Sequence, residues 1–147
     1  YSTSEEILVP SCCPFSTLGL AAVYVRGATG GHTLLVVDAA GRIHRKVDGV
    51  YVEPGRPAPP AWSPRGRYVV FVKEDAAAGN PIRAVDIATG QLLEIPLDLS
   101  GALEVAVGGG RDAGVSRTLV AVVAVGDGEG VRNHVYVADV TAVLQER

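Results

Sequence analysis

Ser63-Pro64-Arg65-Gly66-Arg67-Tyr68-Val69-Val70-Phe71-Val72 decides the fold, because the chain carries a version of it three times. Ser16-Thr17-Leu18-Gly19-Leu20-Ala21-Ala22-Val23-Tyr24-Val25 lies over it without a gap, and so does Ser116-Arg117-Thr118-Leu119-Val120-Ala121-Val122-Val123-Ala124-Val125. The register persists downstream, where an Asp closing a second apolar run follows the three Ser by 22, 23 and 23 residues, at Asp38, Asp86 and Asp139. The Ser positions are 47 and 53 residues apart, close to the ~40–50 residues of a four-stranded propeller blade. Self-similarity at that period is a stronger guide than any element read alone.

Short apolar runs rich in β-branched and aromatic residues alternate with Gly, Pro, Asp and Asn, and no helical stripe breaks the pattern. Residues 1–147 therefore read as a single all-β domain with repeats over about 5–48, 59–98 and 103–147. Strands are expected over 20–25, 33–37 and 42–47 in the first repeat, and over 67–73, 82–86 and 92–95 in the second. The third is expected to place them over 118–125, 134–138 and, more weakly, 142–145. An innermost strand over 7–9, 59–62 and 103–107 completes three four-stranded antiparallel units, a partial β-propeller; a β-sandwich is the alternative. Phe15, Trp62 and Val115, ahead of or beside each Ser, are expected as core anchors.

The Pro-rich stretch 53–60 lacks the donors of a regular ladder and is expected to cross between units, with the glycine-rich stretch 108–114 in a similar role. After Asp38 and Asp86 a Gly follows at position 41 and 90. That spacing suits a turn in which the carboxylate bonds backbone ahead of it while Gly takes positive φ. All three aspartates are accordingly expected to cap turns and not to catalyse.

The middle repeat, Ala61-Trp62-Ser63-Pro64-Arg65-Gly66 leading into Arg67–Val72 and then Ile82-Arg83-Ala84-Val85-Asp86-Ile87-Ala88-Thr89-Gly90, resembles a TolB-type propeller repeat. In that family a Trp-Ser-Pro-Asp-Gly turn enters an apolar strand, and a later strand ends in an Asp-x-x-x-Gly turn. Phe15-Ser16-Thr17-Leu18-Gly19 keeps the aromatic, the Ser and the Gly; the third repeat has Leu119 in place of the Gly, and Arg65 stands where the family usually has Asp. The resemblance implies propeller blades, in rings commonly of six or seven, in periplasmic binding proteins or in the non-catalytic propellers of prolyl-oligopeptidase-like hydrolases. Three blades alone leave two apolar flanks in water. If each flank buries several hundred Å² at ~25 cal/mol per Å², its exposure forfeits on the order of 10 kcal/mol, as much as a whole domain's stability.

Three functions are consistent with this: a non-enzymatic scaffold that binds protein or itself, the propeller portion of a larger hydrolase, or a subunit of an extracellular polymer. Self-association takes the form of a dimer completing a six-bladed ring or of a larger assembly, and the segment 5–9 is expected to be able to add as an outer strand to the last unit of its own chain or of a neighbour. Thirteen Lys and Arg against sixteen Asp and Glu, a net charge of −3, give no footprint for nucleic acid. No apolar run approaches the ~18 residues of a membrane span. Met is absent and Tyr stands first, which favours a processed or partial product and an extracytoplasmic or secreted location.

No catalytic group is assigned. Ser16, Ser63 and Ser116 recur in every repeat, which argues for geometry, and no Gly-x-Ser-x-Gly elbow is present. His32, His44 and His134 have no zinc spacing, and Gly126-Asp127-Gly128-Glu129-Gly130 with Asn133 reads as a solvated turn short of the ligands of a calcium loop, so neither a metal nor any other cofactor is expected. The adjacent Cys12 and Cys13 read as small apolar residues beside a strand, a strained vicinal bridge or a bond to another chain being the alternatives. Arg42, His44, Arg45 and Lys46 read as a charged outer edge. Arg65, Arg67, Arg111 and Arg117 fall where propeller loops reach the ends of the ring, and these four are the candidate partner-facing rim.

Overall fold

In the computed structural model, residues 6–8, 19–55, 57–126 and 133–145 are described. Phe15, Ser16, the two cysteines and most of the 126–130 turn lie outside them. The described chain is all-β: eleven strands in three antiparallel sheets, with one short 3-10 turn and no α-helix. The first sheet has the order β1 (Glu6–Leu8), β2 (Ala21–Arg26), β3 (His32–Val37), β4 (Ile43–Val50). The second is β5 (Ala61–Trp62), β6 (Tyr68–Val72), β7 (Ile82–Asp86), β8 (Leu92–Glu94), and the third β9 (Ala102–Asp112), β10 (Val115–Ala124), β11 (His134–Asp139). Each sheet is a meander in which sequence neighbours are ladder neighbours.

The three sheets stack face to face, and β6 explains why. Side chains alternate between the faces of a strand, so the unbroken run Tyr68-Val69-Val70-Phe71-Val72 has an apolar side chain for both. Every one of its residues is buried. Val69, Phe71 and Val85 pack with Ala22, Tyr24, Leu34 and Val36 of the first sheet. Tyr68, Val70, Val72, Ile82 and Ala84 pack on the opposite side with Val105, Val120 and Val122 of the third. Trp62 joins the core facing the first sheet, whereas Val115 is exposed and anchors nothing. Main-chain bonds from Tyr51 to the Val72 carbonyl (2.8 Å) and from Glu74 to the Gly49 carbonyl (2.9 Å) join the ends of sheets one and two. The charged edge of β4 also contributes, since Arg45 Nη2 donates to the Ala88 carbonyl of the second sheet at 2.7 Å.

The turn at Ser63 is built as its sequence suggests. The buried Ser63 Oγ accepts from the Tyr68 N–H at 3.0 Å, and Gly66 takes φ +74°, the value also found at Gly19 in the first repeat. Ser116 departs from this pattern, lying within β10 opposite Arg111. In the third repeat the strand starts earlier, because Leu119 cannot take the left-handed turn that Gly permits.

Three further expectations are corrected. The glycine-rich 108–114 is no crossing loop: Gly108, Gly109 and Gly110 pair with Leu119, Thr118 and Arg117, and the chain reverses at Ala113 (φ 47°) and Gly114 (φ 81°). Two successive positive φ values make the tight hairpin whose twist matches its strands. Residues 142–145 form no fourth strand. There Val143 and Leu144 donate to the Val140 carbonyl, and the resulting turn folds Val140 and Leu144 into the core as a plug. The third sheet thus has three strands among the described residues where the others have four. Finally, the N-terminal strand joins its own repeat as the innermost strand expected there, pairing with β2 with Ile7 opposite Val25, and is not added to the last unit of its own chain.

Candidate functional site

The three repeat aspartates share one construction. Oδ1 of Asp38, Asp86 and Asp139 accepts from the backbone N–H two residues on, of Ala40, Ala88 and Thr141, at 2.9, 2.9 and 3.0 Å. Oδ2 meets a basic side chain: Arg42 Nε at 2.8 Å and His44 Nε2 at 3.0 Å for Asp38, Arg67 Nη2 at 2.9 Å for Asp86, and Arg117 Nη1 at 2.6 Å for Asp139. Hydrogen bonds from His44 and from the Arg42 backbone hold the Asp38 carboxyl well below the usual carboxylate range. At Asp86 burial works to raise the pKa, and the Arg67 guanidinium with the Ala88 and Thr89 N–H groups outweighs it, so the carboxyl still lies below its ordinary value. The Thr141 hydroxyl and N–H, followed by Arg117, bring Asp139 down to about 2. All three remain ionised at neutral pH and cap turns.

These pairs sort the four arginines. Arg67 is committed to the second sheet, its guanidinium bonded to Asp86 and 5.2 Å above the Tyr68 ring. Arg65, Arg111 and Arg117 come together instead, lining one open cleft of about 690 Å³ between the Ser63–Gly66 turn and the β9–β10 hairpin. All three are exposed. Pro64, Gly109 and Gly110 supply apolar wall, Ser116 and Thr141 supply hydroxyls, and among the described residues no acidic one lines the cleft. The walls meet so closely that a Cβ on Gly109 would fall 2.8 Å from Pro64 Cγ.

A second surface is the outer face of the third sheet. On β10 and β11 the residues turned away from the second sheet are Leu119, Ala121, Val123, Val135 and Val137, with Ala121 opposite Val137 and Val123 opposite Val135. Val135 is 68% and Val137 66% exposed, values unusual for paired strand valines. Ala121 and Val123 also border a neighbouring apolar hollow with Pro59, Pro60 and Trp62. Nothing in the sequence periodicity singled this face out, because alternating apolar residues read alike whether or not a sheet covers them. No protein-family model matches this chain, and neither a curated protein nor a solved structure matches it. Among the described residues no helix is long and apolar enough to cross a membrane.

Proposed function

We propose that this chain is a non-enzymatic scaffold of the β-propeller kind, whose stack is continued by a second copy packing against the third sheet. The observation that carries this reading is the contrast between the middle sheet, buried on both faces, and the third sheet, whose outer face leaves Val135 and Val137 in water. Each valine or leucine covered there contributes roughly 1.5–3 kcal/mol when fully buried. Five apolar side chains in one patch therefore offer a driving force comparable with the cost of association. The edge of β11, which pairs with β10 alone among the described residues, adds main-chain donors and acceptors to the same region, and a copy related by two-fold symmetry meets patch with patch. Packed patch to patch, two chains of three sheets make one closed stack of six.

Solution mass tests the reading. Light scattering coupled to size exclusion should give twice the 15.2 kDa chain mass across a concentration series. Particles that grow with concentration favour open head-to-tail stacking over the two-fold dimer. A monomer that persists to the highest soluble concentration overturns the proposal.

A further inference from the structure

An apolar hollow lies where β5 and β9, edge strands of the second and third sheets, come side by side. Pro59, Pro60 and Trp62 line it from the second sheet, and Ala106, Ala121 and Val123 from the third. The ladder explains the second wall. Ala106 pairs with Ala121 and Glu104 with Val123, so these four share one face, turned away from Val105, Val120 and Val122 in the core. The first wall is stiff, because Pro59 and Pro60 have fixed φ and no N–H to satisfy, and Pro60 is fully buried. The shape is therefore set before any ligand arrives. Among the described residues lining the hollow, Glu104 is the one that carries charge, and it is half-buried.

We propose that this hollow binds a small hydrophobic amine, an aromatic or branched aliphatic body carrying one ammonium group. The body lies against the proline rings and the Ala106, Ala121 and Val123 face, and Glu104 meets the ammonium. Charge decides among the apolar candidates. A neutral ligand covers the Glu104 carboxylate and leaves it without a counter-charge, which is costly; an anion adds repulsion, and a cation offsets the lost water. A volume of about 460 Å³ lies within the ~300–1,000 Å³ of small-molecule sites, which pair apolar walls with a few placed polar groups. The hollow shares Ala121 and Val123 with the outer face of the third sheet, yet one chain supplies all of its walls. The site therefore does not rest on the stacking proposed above.

Calorimetric titration of the whole chain with phenethylamine, phenethyl alcohol and hydrocinnamate tests the assignment. Trp62 emission is read in parallel, because it is the chain's only tryptophan. The amine should bind saturably and shift that emission, with an affinity about 10- to 100-fold above the alcohol's, the worth of a hydrogen bond to a charged group. Hydrocinnamate should bind weakest. E104Q should remove the amine's advantage and keep alcohol binding. A106F, at an exposed position, should fill the hollow and abolish binding of all three probes, with circular dichroism verifying that each variant folds. E94Q, on β8 and outside the lining, should change nothing. Dilution until light scattering gives the 15.2 kDa chain mass separates this test from stacking: the monomer should bind, and binding confined to the dimer overturns the assignment. Equal affinities for amine and alcohol, an unchanged amine affinity in E104Q, binding that leaves Trp62 emission unaltered, or no binding at all overturn it too.

Discussion

Gly109 and Pro64 are in such close apposition that a Cβ on the glycine would lie 2.8 Å from Pro64 Cγ and 3.0 Å from its Cβ. The contact joins the glycine-rich arm of β9 to the turn that opens β6, and it holds the two walls of the arginine cleft together. Overpacking in such a place typically costs about 1–3 kcal/mol. G109A should lower stability by that amount, read from the urea midpoint, even though alanine is the better strand former. Replacing the proline ring as well, in the P64A/G109A double variant, should recover part of the loss. Additive losses would mean that the clash is not the cause.

The aspartate trio makes stability fall in acid. The folded pKa of Asp139 is about 2, below the ordinary value of ~3.9 for an unfolded chain, so the unfolded state binds more protons between the two. The stabilisation is therefore complete above pH ~4 and is lost as pH falls toward 2. Asp38 and Asp86 are shifted in the same direction and add to the same slope. Urea midpoints measured from pH 6 down to 2 should decline, and D139N should flatten part of the decline. A D139N curve parallel to the wild type would refute the assignment.

How much of this could be read from residues alone differs by repeat. The run 68–72 announces a buried strand, and the Asp-to-Gly spacing announces its turn, because both depend on neighbours within a few residues. The glycines at 108–110 hide a strand. Glycine contributes neither β-branching nor alternation to a sequence pattern, yet its backbone pairs with β10 like any other. Around the C-terminal plug the apolar spacing of Val140, Val143 and Leu144 is that of a turn, i, i+3 and i+4, and a strand expectation there overrode a signal that was present. The arginines divide for another reason. Arg67 reaches the Asp that closes its own hairpin, a local relationship, whereas Arg65 borders the same cleft as Arg111 and Arg117 only because two sheets pack at Gly109, which no local spacing encodes.

Phe71 is the largest fully buried side chain among the described residues and lies in the core between the first and second sheets. Its truncation removes contacts that bind one sheet to the next as well as those within the strand. F71A should cost about 3–5 kcal/mol, the range for a buried phenylalanine. A far smaller change in the urea midpoint would indicate that the first two sheets do not depend on each other.

Val135 and Val137 lie side by side on the outer face of β11, and both point away from the second sheet. Lysine at both positions leaves the ladder to β10 intact, since main-chain bonds do not depend on side-chain identity and the residues are exposed within a single chain. The stability of the isolated chain should change by less than about 0.5 kcal/mol per site, as for surface substitutions elsewhere. A facing copy, by contrast, would have to bury four uncompensated charges across the two-fold axis. V135K/V137K should therefore shift the solution mass from dimer to monomer while leaving the far-ultraviolet dichroism of the sheets unaltered. If the double variant still forms the dimer, the third sheet's outer face is not where the copies meet.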